Sequence, residues 1–256
     1  MIYHYNEVPI FYEVQGDGPI MVLLHGFLES STMWESIVPE LINTNTIIYM
    51  DLPGHGKSGV LNEVHTMEMM AAVVYSLLKS LGVHEATFVG HSMGGYVCLA
   101  LVEKYPEMIE HLVLLNSTTY ADSQERKIQR ERALQFMGKE KDTIISLAIT
   151  NLFSTEARSK YSKEIEGMKK EALQFPTQGI TAAIRGMKDR KDRTQVLKSF
   201  SNNKTIVCGS TDPIVPLSIS EKMARETGAD FKILEGSHMS WLENRAEIVK
   251  MLHFIE

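Results

Sequence analysis

The chain has 256 residues, 44% apolar and 23% charged, with 26 basic against 32 acidic side chains and a formal charge of −6. That size fits one large globular domain or a domain carrying an insertion, and the acidic balance argues against nucleic acid as the main partner. Cys98 and Cys208 are too few for a disulfide framework and lack the clustered spacing of a metal site, so no metal is expected.

The opening residues "MIYHYNEVPIFYEVQGDGP" alternate and carry no apolar segment, so they do not read as a secretory leader. No apolar run reaches the roughly 18 residues of a membrane span. A cytoplasmic, reduced setting and a small-molecule substrate are expected, with no membrane partner. Paired strands are predicted over 2–6 and 9–15, with "NEVP" as the turn. The runs 19–25 and 45–51 are continuously apolar, as strands of a parallel sheet buried on both faces are. Between them "STMWESIVPELI" has helical spacing. Residues 66–82 pair apolar positions one turn apart and end on Gly82, a helix stop. A strand "ATFVG", a helix over 92–105 and a strand over 111–116 follow.

The alternation then stops. Residues 118–199 hold no convincing strand, and helices are predicted over about 122–137, 140–152, 156–173 and 178–189. It resumes with a strand over 204–209, a helix after Pro216, a strand over 230–236 and a last helix from about Trp241. Strand–helix alternation implies an α/β fold: a mostly parallel twisted sheet flanked by helices, interrupted once by a helical insertion. The expected domains are a core of 1–117 and 200–256 and a cap of 118–199. Charge divides at the same boundaries. The insertion holds 17 basic and 11 acidic residues, a balance of +6, and the remainder a balance of −12.

Strand ends of a parallel sheet share one edge, where loops converge on a site. Ser92 lies in Gly90-His91-Ser92-Met93-Gly94, between a strand and a helix, where a sharp glycine-flanked turn exposes a hydroxyl at a helix start. Read blandly, this is a glycine-rich turn. A serine nucleophile needs a base, and His238 follows the last strand directly. His25, at another strand end, is a rival, and His91 neighbours Ser92 but points elsewhere on a tight turn. The remaining histidines carry no comparable setting. Asp212, four residues after a strand, is the candidate carboxylate, although an aspartate before proline is also a common turn residue. Asp51 is the runner-up. Backbone amides of Phe27 and Met93 are placed to hold a negative oxygen.

The segments "LLHGF", "DLPGHGKS", "GHSMGG", "GSTDPIVP" and "GSHMSWLEN" resemble, in order, the landmarks of the α/β-hydrolase superfamily, over the whole of 1–117 and 200–256. The insertion resembles the helical cap after the sixth core strand. The resemblance implies Ser92, Asp212 and His238 as catalytic triad, Phe27 and Met93 as oxyanion donors, and no cofactor. Relatives that are haloalkane dehalogenases or epoxide hydrolases carry aspartate at the elbow, so Ser92 argues against both. "LENR" departs from relatives with proline after Glu-Asn, which affects a helix start only.

"GHGKS" fails as a phosphate loop because Asp51 stands where glycine is required, and "GHGKSG" lacks a helix opening within it. Of the 15 methionines, Met93 and Met239 flank catalytic candidates and are expected, with His25 and His91, near the pocket; Met137, Met168 and Met187 are expected to pack helices. The reading is a serine hydrolase of a small carboxylic ester, lactone or thioester. Carbon–carbon cleavage of a β-diketone-like acid with the same triad is the alternative, and a slow-turnover ligand receptor is a second. The basic cap further predicts an anionic substrate.

Overall fold

In the computed structural model, which describes residues 1–255, Asn6 and Glu7 take positive φ, 47° and 67°. Two left-handed residues match the twist of a hairpin, and they fold Ile2–Tyr5 (β1) back on Val8–Gln15 (β2). The following strands are Ile20–Leu24 (β3), Thr46–Met50 (β4), Ala86–His91 (β5), Ile109–Leu115 (β6), Asn203–Gly209 (β7) and Asp230–Leu234 (β8). They form one eight-stranded sheet in the order β1-β2-β4-β3-β5-β6-β7-β8. From β4 to β8 all neighbours are parallel; β1 and β2 join antiparallel at one edge.

The apolar runs are continuous because both sheet faces are covered. Val22, Leu24, Ile48, Met50, Phe88, Leu112 and Leu114 face one core. Their neighbours Met21, Leu23, Ile47, Tyr49, Val89, Val113 and Leu115 face the other. Met67–Ser80 (α2) and Met93–Lys104 (α3) cover the first face; Val38–Leu41 (α1) and Arg245–His253 (α11) cover the second. Thr66 caps α2, its side chain accepting from the Met69 amide at 3.1 Å, a contact worth about 1 kcal/mol. Both cysteines are buried and unpaired. No helix among the described residues is long and apolar enough to cross a membrane.

Between β6 and β7 run Gln124–Thr150 (α4), Thr155–Lys160 (α5), Ser162–Ala172 (α6), Thr177–Lys188 (α7) and Thr194–Ser199 (α8). The two helices expected over 122–137 and 140–152 are the two halves of α4, divided where expected by a kink at Glu140 (φ −129°, ψ 32°). The helix expected over 156–173 is instead two, broken at Tyr161. The stretch expected as a helix near 31–42 is a 3₁₀ turn, Ser31–Trp34, followed by α1. Pro39 explains the break, since it has no N–H and its ring clashes with the carbonyl four residues back. Leu217–Thr227 (α9) follows Pro216, and Asn244 separates Ser240–Glu243 (α10) from α11.

The helices between β6 and β7 are tied to the rest of the chain at several points. The His238 amide donates to Leu152 O at 3.1 Å, and the His65 amide to Ala182 O at 3.0 Å. Glu171 accepts from the Ser30 and Thr32 hydroxyls at 2.6 and 2.9 Å. Arg193 pairs with Glu68 and Glu103 at 2.7 and 2.9 Å.

Candidate active site

β3 leads to one side of the sheet and β5 to the other, so the crevice at their carboxyl ends is a topological switch point, where loops separate and a ligand fits. Ser92 follows β5 with φ 49° and ψ −112°. That conformation is strained for a residue with a Cβ and persists where the surroundings fix it. Its amide donates to Leu115 O at 3.0 Å, and Ser117 Oγ donates to its carbonyl at 2.8 Å. Ser92 occupies the N-cap position of α3 without capping it, because its hydroxyl is engaged elsewhere.

That partner is His238. Ser92 Oγ lies 2.9 Å from His238 Nε2, and His238 Nδ1 lies 2.8 Å from Asp212 Oδ2 and 3.0 Å from Oδ1. With the proton on Nδ1, the ring donates to the carboxylate and accepts from the hydroxyl. Asp212 also accepts from the Ile214 and Val215 amides at 2.7 and 2.9 Å and from Asn116 Nδ2 at 3.0 Å. Burial alone would raise its pKa, but the charge and hydrogen bond of His238, with these donors, hold it below the usual value. A serine, an imidazole and an anionic carboxylate thus form one continuous hydrogen-bonded line at the strand ends. Such a line transfers a proton from the hydroxyl to the ring as the oxygen attacks an electrophile.

Asn116 was not singled out by sequence. It sits just past β6 with φ 47°, and its side-chain nitrogen bridges Asp212 and the Ser237 carbonyl, 3.3 Å away. Its signal was a polar residue ending the apolar run "HLVLLN". Glu243 was missed as well; it accepts from the Ser237 amide at 3.1 Å and from the Ser237 hydroxyl, fixing the turn that presents His238.

A cavity of about 240 Å³ opens on Ser92 and His238. Phe27 and Leu28 line it from the β3 loop, Ile144, Ile145 and Ala148 from α4, and Leu152 from just beyond α4. The Phe27 and Met93 amides take no partner among the hydrogen bonds of the described loops and caps. The three other side chains expected near the pocket do not line it. His25 is fully buried, donating from Nδ1 to Gly26 O at 2.7 Å and accepting the Leu52 amide on Nε2 at 2.8 Å. Burial lowers its pKa more than the nearby Asp51 carboxylate raises it, in keeping with a neutral ring. His91 turns from Ser92 to Glu29, and Met239 packs into the second core. Met93 offers the site only its backbone, since its side chain lies in the first core. Conversely Met137 and Met187, expected only to pack helices, also line the cavity.

Asp51 joins its own loop to the 3₁₀ turn after β3, accepting the Lys57 and Ser31 amides at 2.7 Å each. It has no contact with His238. The 51–59 segment is therefore structural, with Gly54 and Gly56 at positive φ. Gly26 is a closer constraint. A Cβ there would meet Glu29 Oε2 at 2.4 Å and His91 Nδ1 at 2.8 Å, so only glycine lets the β3 loop cross this buried pair.

A serine on a strand–turn–helix elbow, hydrogen-bonded to a histidine that is in turn hydrogen-bonded to an aspartate, both carried past later strand ends of a doubly wound sheet, is the arrangement of a class of hydrolytic enzymes. The chain belongs to the α/β-hydrolase fold family, whose pattern matches residues 19–245, and it is a hydrolase. It is similar to a thermophilic esterase from Thermogutta terrifontis, solved with malate bound: 30% identity, TM-score 0.91, covering 96% of this chain and 92% of that one. The enol-lactonase from Burkholderia xenovorans LB400 shares the fold at 20% identity and a TM-score of 0.90, each chain 98% covered. A putative non-heme haloperoxidase of Mycobacterium phage D29 is 27% identical over 241 residues, 89% of this chain and 83% of that protein. Some other curated relatives are matched over only 31% of their own length.

Proposed function

We propose that the protein is a serine hydrolase of small carboxylic esters, with residues 118–199 as the cap that closes its pocket. Ser92 is the nucleophile, His238 the proton carrier and Asp212 the group that orients and charges against it. The Ser92 oxygen attacks the ester carbonyl while its proton passes to His238 Nε2. The carbonyl oxygen becomes an alkoxide, held by the Phe27 and Met93 amides. The tetrahedral intermediate collapses, and the leaving alcohol takes the proton from His238, leaving an acyl-serine. Water then attacks with His238 again as base, releasing the acid and restoring Ser92.

The observation that carries this reading is the Ser92–His238–Asp212 line, with contacts of 2.9 and 2.8 Å and the carboxylate fixed by further donors. The likeness to an esterase at 30% identity supports the same bond class. The test is a fluorophosphonate probe together with 4-nitrophenyl butyrate turnover. Wild type is labelled at Ser92 and gives a burst followed by a linear steady state. Ser92→Ala loses label and activity, by roughly 10⁴- to 10⁶-fold in rate. Label that persists in Ser92→Ala overturns the assignment, and a single turnover followed by arrest favours a receptor.

A further inference from the structure

One helix stripe gives the cavity two different ends. Arg126, Arg130, Ala133 and Met137 follow one another along α4 at helical spacing, and all four line the cavity with Ser92. The stripe begins cationic and continues apolar. The described lining contains no carboxylate at all.

The two guanidinium groups are poorly explained by folding. Arg126 lies in the first turn of α4, capped by Ser123, where a cation opposes the helix dipole. Arg130 stands four residues on, and like charges at that spacing oppose helix formation. Arg126 forms no ion pair among the described residues, and its one side-chain hydrogen bond, 3.2 Å long, goes to the neutral Gln129. Glu125 lines a second, outer cavity instead.

Arg130 has a partner, but a shared one. Asp122 accepts from Arg130 Nε and also from Arg190 Nη1. Arg190 is 5% exposed and stacks 4.1 Å from the Tyr96 ring, another lining residue. Two guanidinium groups thus bracket a single carboxylate, leaving one positive charge in excess. Burial depresses the Arg130 pKa more than Asp122 restores it. Only Arg130 Nε is used within the described residues, so its terminal nitrogens are left for whatever occupies the cavity.

We propose that Arg126 and Arg130 form a carboxylate-recognition subsite, so that the ester cleaved at Ser92 carries a second, anionic group at the α4 N-terminal end of the cavity. A planar guanidinium presents paired donors that fit a carboxylate. The apolar stretch from Ala133 onward takes the hydrocarbon part. Arg126, Gln129, Tyr96 and Ile214 also line the outer cavity of about 540 Å³, so the anion is met where the two cavities join. The inference rests on the ester-hydrolase reading and names its substrate class.

The experiment uses two isosteric pairs, with the anion on the acyl side in one and on the alcohol side in the other. Methyl hydrogen adipate is compared with methyl 6-methylheptanoate, and carboxymethyl hexanoate with isobutyl hexanoate. Wild type should favour the anionic member of at least one pair by tenfold or more in kcat/KM. Arg126→Gln should reduce that ratio by roughly 10- to 100-fold, the loss of one charged hydrogen-bonding partner, while Lys163→Gln, an equal charge change on the exposed cap, leaves it alone. Arg130→Gln should act alike, with its Tm checked because it strips a partner from buried Asp122; Arg126→Gln carries the test if that variant fails to fold. Faster turnover of the neutral ester in both pairs, or a ratio indifferent to Arg126→Gln, overturns the subsite. If neither these esters nor 4-nitrophenyl butyrate is hydrolysed and Ser92 takes no label, it is the hydrolase reading that fails. Calorimetry of methyl hydrogen adipate with Ser92→Ala then decides the subsite. Binding weakened in the Ser92→Ala/Arg126→Gln double variant upholds it, and equal binding or none overturns it.

Discussion

Glu29 and His91 form an ion pair at 2.8 Å, with side chains 2% and 1% exposed, behind the loop that carries Phe27. The same carboxylate oxygen accepts the Gly26 amide at 2.7 Å, and His91 Nε2 donates to His238 O at 3.0 Å. The pair therefore joins the proposed oxyanion loop to the histidine loop. Burial alone would lower the His91 pKa, but the Glu29 charge and hydrogen bond outweigh it and raise it. Burial would likewise raise Glu29, and His91 outweighs it downward.

Breaking this pair should destabilise the protein in a defined pH window. His91 contributes fully below its ordinary value of 6.5 and loses its contribution as pH rises through the elevated one. Glu29 contributes fully above 4.5 and loses it as pH falls through the depressed one. Glu29→Gln should thus lower Tm most between those two values, by up to about 3–5 kcal/mol of stability. The gap to wild type should narrow on both sides. Melting curves from pH 4 to 9 check this, and a gap independent of pH contradicts it.

The choice of carboxylate is testable by ranking. Asp212→Asn should cut kcat by about 10⁴ with little change in Tm, because the ring loses its orientation and charge partner. Asp51→Asn should cost less rate and more stability, since both Asp51 oxygens hold backbone amides. Steady-state kinetics and melting of the two variants decide it, and the reverse order would make Asp51 the functional acid.

Asn116 should matter through Asp212. Asn116→Ala removes the 3.0 Å bond to the carboxylate, and a hydrogen bond to a charged group is worth about 1.5–3 kcal/mol. A fall in kcat of roughly 10- to 100-fold is expected, with KM little changed. A rise in KM at constant kcat would place Asn116 in substrate binding instead.

The charge of the cap should show in the salt dependence of capture. If the +6 balance of 118–199 steers anions, kcat/KM for methyl hydrogen adipate falls between low salt and about 0.5 M, where the Debye length is roughly 4 Å. The neutral isostere should hardly respond. Equal responses would leave the outer cap charges without a part in substrate entry.

Sequence carried the sheet well because the central strands hold apolar runs such as "IMVLL" and "LVLL", as burial on both faces demands, whereas the edge strand "DFKIL" is mixed and largely exposed. It also marked Ser92, Asp212 and His238 as candidates, each a few residues past a strand end, and the fold brings the three into one hydrogen-bonded line. The cap was less legible. Its helices were recognised by periodicity, and Gly138 stands two residues before the kink at Glu140, but the break at Tyr161 is a local backbone event with no proline or glycine beside it. Pro39 is the visible signal for the break in 31–42, where helical spacing alone suggests one helix. His25 and His91 were plausible pocket residues by position, but each ring is used up by buried partners that lie far along the chain. For His91 the partner is Glu29, and for His25 it is the Leu52 amide. Pairings across tens of residues have no local signature. The subsite residues were visible only as part of a charge balance, since helical phase alone does not say which cations of a helix face the cavity.

The bond from the His238 amide to Leu152 O reaches further than its 3.1 Å. Leu152 lies two residues past the end of α4 and lines the cavity, while His238 is the proposed base. Lifting the helices away from the sheet breaks a backbone contact of the histidine itself, so a gaping form of this enzyme is also a disarmed one. Ile214 borders both the inner and the outer cavity, so the two adjoin there without that bond being broken. The proposed catalytic histidine is thus a joist of the roof as well as part of the site beneath it.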